Sequence, residues 1–202
     1  MTASTTETTV REAVHAMLAP HIRKGEQLYY EIYGYDVNGG CIQITGGQQF
    51  AYDCRPGEYK VVLYRVTITT PDGYVIDLPR HLVYARADEL GLARPPLLDR
   101  FQVPVTQSVE HIVAAAQRVY TGRSTLDAGT MREGAVVWYQ DPRLSNGWTC
   151  LKLKSEEFLL LESKDRSPDD TGAPDPEESH LTVSIEEIAA NPEIYGDVED
   201  YL

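Results

Sequence analysis

The sequence predicts an α+β protein in which antiparallel sheets are flanked by helices, and three observations lead there. Short runs rich in Tyr, Ile and Val are broken by Gly and Pro in the manner of strands. Three separate stretches instead space their apolar residues at helical intervals. Two pairs of strand-like runs are joined by turn sequences with no helix between them, which makes those pairs antiparallel.

Residues 1–9 read as a polar, Thr-rich leader, and residues 10–161 as the folded domain. Val10, Val14, Met17, Leu18 and Ile22 form the apolar stripe of a first helix that ends between Pro20 and Gly25. Strands are expected at 28–33, 41–45, 59–70 and 74–76, the last two paired through the Pro-Asp-Gly turn at 71–73. Pro79 opens a helix through Leu82, Val83, Ala87 and Leu90, and Gly91 stops it. Another helix spans about 108–120, with Val109, Ile112, Val113, Ala116 and Val119 along one side. Runs at 135–139 and 148–153, joined by Gln140-Asp-Pro-Arg-Leu-Ser-Asn-Gly147, complete a long-looped hairpin. Residues 162–202 read as an acidic linker and tail, with a capping box at Ser184 and Glu187 ahead of a short helix.

The net charge of −13 is unevenly placed. Residues 162–202 hold 13 Asp and Glu against 2 Lys and Arg, so only −2 belongs to residues 1–161. A low overall pI therefore does not exclude a polyanionic ligand in a local basic cleft. No apolar run approaches the ~20 residues of a membrane span, so no membrane partner and a cytoplasmic location are expected. Cys41, Cys54 and Cys150 are odd in number and widely spaced, as buried thiols are and disulfide frameworks are not.

Leu151-Lys-Leu-Lys-Ser155 is the most unusual local feature. On a strand Lys152 and Lys154 share one face, roughly 7 Å apart, and two ammonium groups there suit an anion; lysines on a solvated edge strand give the same pattern. Glu133 and Gly134 stand at the mouth of the preceding strand, where a carboxylate facing the lysines could hold a divalent cation or make a surface ion pair. Glu31 lies in an apolar strand on the side of Tyr29 and Tyr33, facing water or a polar ligand such as a ribose.

In this order and spacing the features resemble the motifs of covalent nucleotidyltransferases, most closely of ATP-dependent RNA ligases. The third motif is Glu31-Ile-Tyr-Gly34, followed by the aromatic strand Val61-Val-Leu-Tyr-Arg-Val66. The fourth is Glu133-Gly-Ala-Val-Val137 and the fifth Lys152-Leu-Lys-Ser155. The resemblance implies a nucleotidyltransferase fold of antiparallel sheets binding ATP between them, with Mg²⁺ or Mn²⁺ as the metal. Such enzymes attach AMP to a lysine, pass it to an RNA 5′-phosphate, and let a 3′-hydroxyl displace it. By that likeness Glu31 contacts the ribose, Tyr64 stacks on adenine, Glu133 holds the metal, and Lys152 and Lys154 bind the AMP phosphate; Glu133, Lys152 and Lys154 are then the catalytic residues.

The family's nucleophile is the lysine of a Lys-x-(Asp/His)-Gly motif upstream of the third motif. Only Lys24 precedes Glu31, in Lys24-Gly-Glu-Gln, which does not match. Tyr30 stands where a glycine is usual, and Trp138 where a basic residue is common. The expectation is an RNA ligase domain incomplete at its N-terminus, whose nucleophile comes from a separate segment, with RNA and a polypeptide carrying Lys-x-Asp-Gly as partners. The alternative is an inactive homologue that serves as a nucleotide- or RNA-binding or protein-interaction module. DNA ligases and capping enzymes fit less well, because the acidic tail does not read as the oligonucleotide-binding barrel they carry. A hydrolase lacks its Gly-x-Ser-x-Gly elbow here.

Overall fold

The computed structural model describes residues 5–102, 109–140 and 148–165. These form an α+β protein with small antiparallel sheets and four α-helices. Helix α1 (Thr5–Leu18) continues into a 3₁₀ turn (Ala19–His21). A three-stranded sheet then forms from β1 (Glu26–Gly34), β4 (Tyr59–Thr69) and β5 (Val75–Asp77) in the order β1-β4-β5. Helices α2 (Arg80–Leu90) and α3 (Val109–Tyr120) follow. The hairpin β6 (Gly134–Gln140) and β7 (Trp148–Lys154) and helix α4 (Glu156–Glu162) complete the described chain.

The three-stranded sheet and the β6–β7 hairpin each bury one face under helices. Val10, Val14 and Leu18 of α1 pack on Val61, Tyr30 and Ile32. Val83 and Ala87 of α2 pack on Leu63, Val66, Leu28 and Tyr30. Pro79 fixes the entry to α2, and Gly91 ends it with φ +67°, its N–H donating back to the Ala87 and Asp88 carbonyls. Ile112 and Ala116 of α3 cover Val137, Tyr139, Leu151 and Leu153 of the hairpin. A fourth cluster, Phe50, Phe158 and Leu161 with Tyr52 and Met131, ties the loop after β3 to α4.

The strand expected at 41–45 is not continuous. Cys41 makes a single bridge to Tyr35, and only β2 (Ile44–Thr45) pairs with β3 (Gln48–Gln49). Asp36 accepts the Asn38 and Gly40 N–H groups, and Gly46 and Gly47 take left-handed φ values, so tight turns use the residues a strand needs. Helix α4 has no counterpart among the sequence expectations, and Glu162, first residue of the expected tail, closes it. The helix expected at Ser184 and the hairpin loop at 141–147 lie outside the described residues.

Among the described residues no helix is long and apolar enough to cross a membrane. The three cysteines are free thiols.

Candidate functional site

The helix-free faces of the three-stranded sheet and of the β6–β7 hairpin lie near each other, with Cys150 of the hairpin within reach of the Arg65, Asp77 and Arg80 charges. β1 and β4 contribute Tyr29, Glu31, Tyr33, Val62 and Tyr64, since Tyr30, Ile32, Val61 and Leu63 point to the helices. The hairpin contributes Val136, Trp138, Cys150, Lys152 and Lys154, by the same alternation against Val137, Leu151 and Leu153. At one end the Arg80 Cζ lies 5.0 Å from the Trp138 ring centroid while its guanidinium donates to the Tyr64 carbonyl. At the other end Gln43 donates to the Glu133 carboxylate, and Tyr52 feels both Glu133 and Glu31.

Three of the predicted residues gather at that second end, with Glu31 facing it. The Lys152 Nζ is 3.9 Å from Glu133 Oε1, each side chain 30% exposed. The Lys154 ammonium donates to both oxygens of Glu162, at 3.0 and 3.2 Å. Loss of water pushes the Glu133 carboxyl above its ordinary range, against the pull of the Lys152 and Lys154 charges. Burial, reinforced by the charges of Glu133 and Glu31, likewise pushes the Tyr52 hydroxyl up and keeps it a donor. Tyr64 lies away from this end, its ring 6.4 Å from Tyr29.

Local backbone chemistry explains why these residue types recur together. A Cβ on Gly134 would run into the Leu153 carbonyl, so the glycine after Glu133 lets β6 and β7 close. Gly34 sits at φ +111° where a Cβ would lie 2.5 Å from the Glu58 carbonyl oxygen. Ser155 fastens the two chemical strands: its N–H donates to the Glu133 carbonyl, its hydroxyl donates to the Arg132 carbonyl and accepts from Phe158 N. A β-bulge between Tyr29 and Tyr30 leaves Tyr64 and Arg65 both off the core face. Arg65 is then held by Asp77 at 2.5 and 2.9 Å and lies over the Tyr29 ring at 4.8 Å.

Sequence reasoning missed Tyr52, Gln43 and Glu162. Tyr52 is the non-glycine residue with positive φ (50°) among those described, a strained conformation held by packing on Tyr33 (5.0 Å) and Phe50 (6.0 Å). Nothing in the surrounding string signals it. Glu162 was legible: Ser155 followed by two acids and by Phe158 and Leu161 is a capped amphipathic turn.

As a metal centre the cluster is lean. Among the described residues no three His, Cys, Asp or Glu are grouped to hold an ion. One partly buried carboxylate suits a cation that arrives with phosphate oxygens, as Mg²⁺ usually does, and not a fully caged ion. Chemically, Glu133 beside Lys152 can hold a magnesium-phosphate group from two sides, and the aromatic end can hold a base. No family model matches the chain, and no curated protein is significantly similar to it.

Proposed function

We propose that this chain is an RNA ligase domain of the covalent nucleotidyltransferase type, binding ATP or AMP between its two sheets. One observation supports the reading: Glu133, paired with Lys152 across the mouth of one hairpin, stands near Tyr52, whose hydroxyl also feels Glu31, a residue 102 positions before Glu133 in the chain. Packing alone gains nothing from two carboxylates, one of them beside a lysine, set against a strained tyrosine.

In this reading Lys152 holds the phosphate of AMP, and Lys154, steadied by Glu162, adds its charge from behind. Glu133 anchors the cation, which when bound offsets charge developing on the phosphoryl oxygens. Glu31 takes the ribose and Tyr64 the adenine. No Lys-x-Asp-Gly occurs in the 202 residues, so attack on ATP requires a lysine from another segment. Sealing needs none: the RNA 3′-hydroxyl attacks the phosphorus of an adenylylated 5′-phosphate and AMP leaves with the bonding pair.

The test follows from that difference. Incubated with labelled ATP and Mg²⁺ the chain forms no covalent AMP adduct, yet it joins a chemically adenylylated RNA to a 3′-hydroxyl strand with release of AMP. An adduct on this chain would contradict the missing-nucleophile part. Binding of the adenylylated strand without joining would favour the second reading, a non-catalytic nucleotide- or RNA-binding homologue.

A further inference from the structure

Starting from the Trp138 and Arg80 end of the proposed nucleotide site, the surface over α2 carries chemistry that this reading leaves unused. Trp138, Arg80, Tyr84 and Arg94 form an unbroken chain of contacts. The Arg80 Cζ lies 5.0 Å from the ring centroids of both Trp138 and Tyr84, and the Arg94 Cζ lies 5.3 Å from that of Tyr84. Arg80 and Tyr84 stand four residues apart on α2, which sets them side by side. A guanidinium lying over a ring keeps its N–H groups for partners in its own plane, phosphate oxygens among them.

Among the described residues no carboxylate holds either arginine closely. Arg80 donates to the Tyr64 carbonyl and makes no ion pair among the described residues, while Asp77 is held by both arms of Arg65. Arg94 pairs with the exposed Asp88 at 3.4 Å, a contact of little worth in water. Beside it lies a hollow of about 360 Å³ lined by Tyr84, Arg94, Pro95, Pro96 and Leu97.

We propose that this ladder is the track of single-stranded RNA leading away from the proposed nucleotide site. Backbone phosphates pair with the edges of Arg80 and Arg94, and a base occupies the hollow against Tyr84 and the prolines. Bridged by one ring, the two guanidinium groups are no more than about 10 Å apart, within reach of neighbouring phosphates on one strand. An acidic peptide would use the cations but leave the rings and the hollow unfilled. The identity of the nucleic acid rests on the RNA ligase reading; the ladder's geometry does not.

Fluorescence anisotropy with the full chain and a labelled oligouridylate lacking a terminal phosphate, over a salt series, tests it. Arg80→Gln and Arg94→Gln should each weaken binding about 5- to 10-fold and lower the slope of log K against log salt by about 0.7, one phosphate contact on a single strand. Tyr84→Leu should weaken binding with the slope unchanged. The proposal is overturned if the double arginine variant, folded by circular dichroism, matches wild type in affinity and slope, or if a decaglutamate peptide displaces the RNA as readily as unlabelled RNA does. ATP titrations separate the two claims. Arg94→Gln should leave ATP affinity unchanged; ladder-dependent RNA binding without any ATP binding would overturn the nucleotide reading and leave the track standing.

Discussion

At Glu133 two electrostatic influences compete: loss of water favours the neutral carboxyl, and the neighbouring lysines favour the carboxylate. Water loss prevails, so the folded pKa lies above the ordinary 4.5. The sign of the consequence is fixed. Between 4.5 and the raised folded value the native state binds more protons than the unfolded chain, so Glu133 lowers folding stability as pH rises through that window and not beyond it. Glu133→Gln should therefore flatten the decline of the thermal midpoint over that window. Nucleotide binding should move the other way. A cation needs the ionised carboxylate, so Mg²⁺-ATP affinity should rise with pH through that window more steeply in wild type than in Glu133→Gln. Calorimetry over a pH series reads both, and an unchanged pH profile in the variant would remove Glu133 from the metal's coordination.

Among the elements, α4 and the hairpin it follows depend on one serine. Ser155 is buried, caps α4, and bonds the Arg132 carbonyl. Ser155→Ala removes a cap and orphans a carbonyl, and should cost about 1–3 kcal/mol in urea denaturation. A variant within a few tenths of a kcal/mol of wild type would show that α4 holds without its cap. This region also shows what was legible in the sequence. The Lys-x-Lys alternation and the facing Glu133 could be read from strand periodicity, and β6, β7 and all three helices with long apolar stripes were recovered. Three features were not. The bulge at Tyr29 and Tyr30 adds a residue to β4 without altering its composition, and simple alternation would put Tyr64 and Arg65 on opposite faces. The 41–45 run had strand-like residues, but the turn at Asp36 and the glycines after Thr45 decided its path. Tyr52 reaches the site through the packing of Phe50 and Phe158, partners 108 residues apart, a distance that local patterns do not encode.

Over the whole molecule, the three-stranded sheet and the helices are locked by a buried ion pair. Arg86 (5% exposed) donates to both oxygens of Glu26 (1%) and to the His21 carbonyl, joining α2, β1 and the turn after α1. Burial pushes the Glu26 carboxyl up, but the hydrogen bonds from Arg86 and the Arg23 amide, with the charges of both arginines, outweigh it and leave it below its ordinary value. That stability is present above pH 4.5 and is lost as pH falls through the lowered folded value. Arg86→Ala leaves a buried carboxylate unpaired and should cost about 3–5 kcal/mol by thermal or urea unfolding. Charge acts at this scale too. Residues 166–202 hold 11 acids against one base, so a chain cut after Asp165, which keeps the Asp165 bond to Gly46 N, should bind RNA several-fold more tightly at low salt and equally at high salt. The central claim, a nucleotide held between the sheets by Lys152, is tested most directly by calorimetric titration of Mg²⁺-ATP into wild type and Lys152→Ala. The account predicts binding weakened by about 1.5–3 kcal/mol, roughly 10- to 150-fold, with the unfolding midpoint unmoved. Equal affinity in the two proteins would contradict it and return Lys152 to an ordinary surface partner of Glu133.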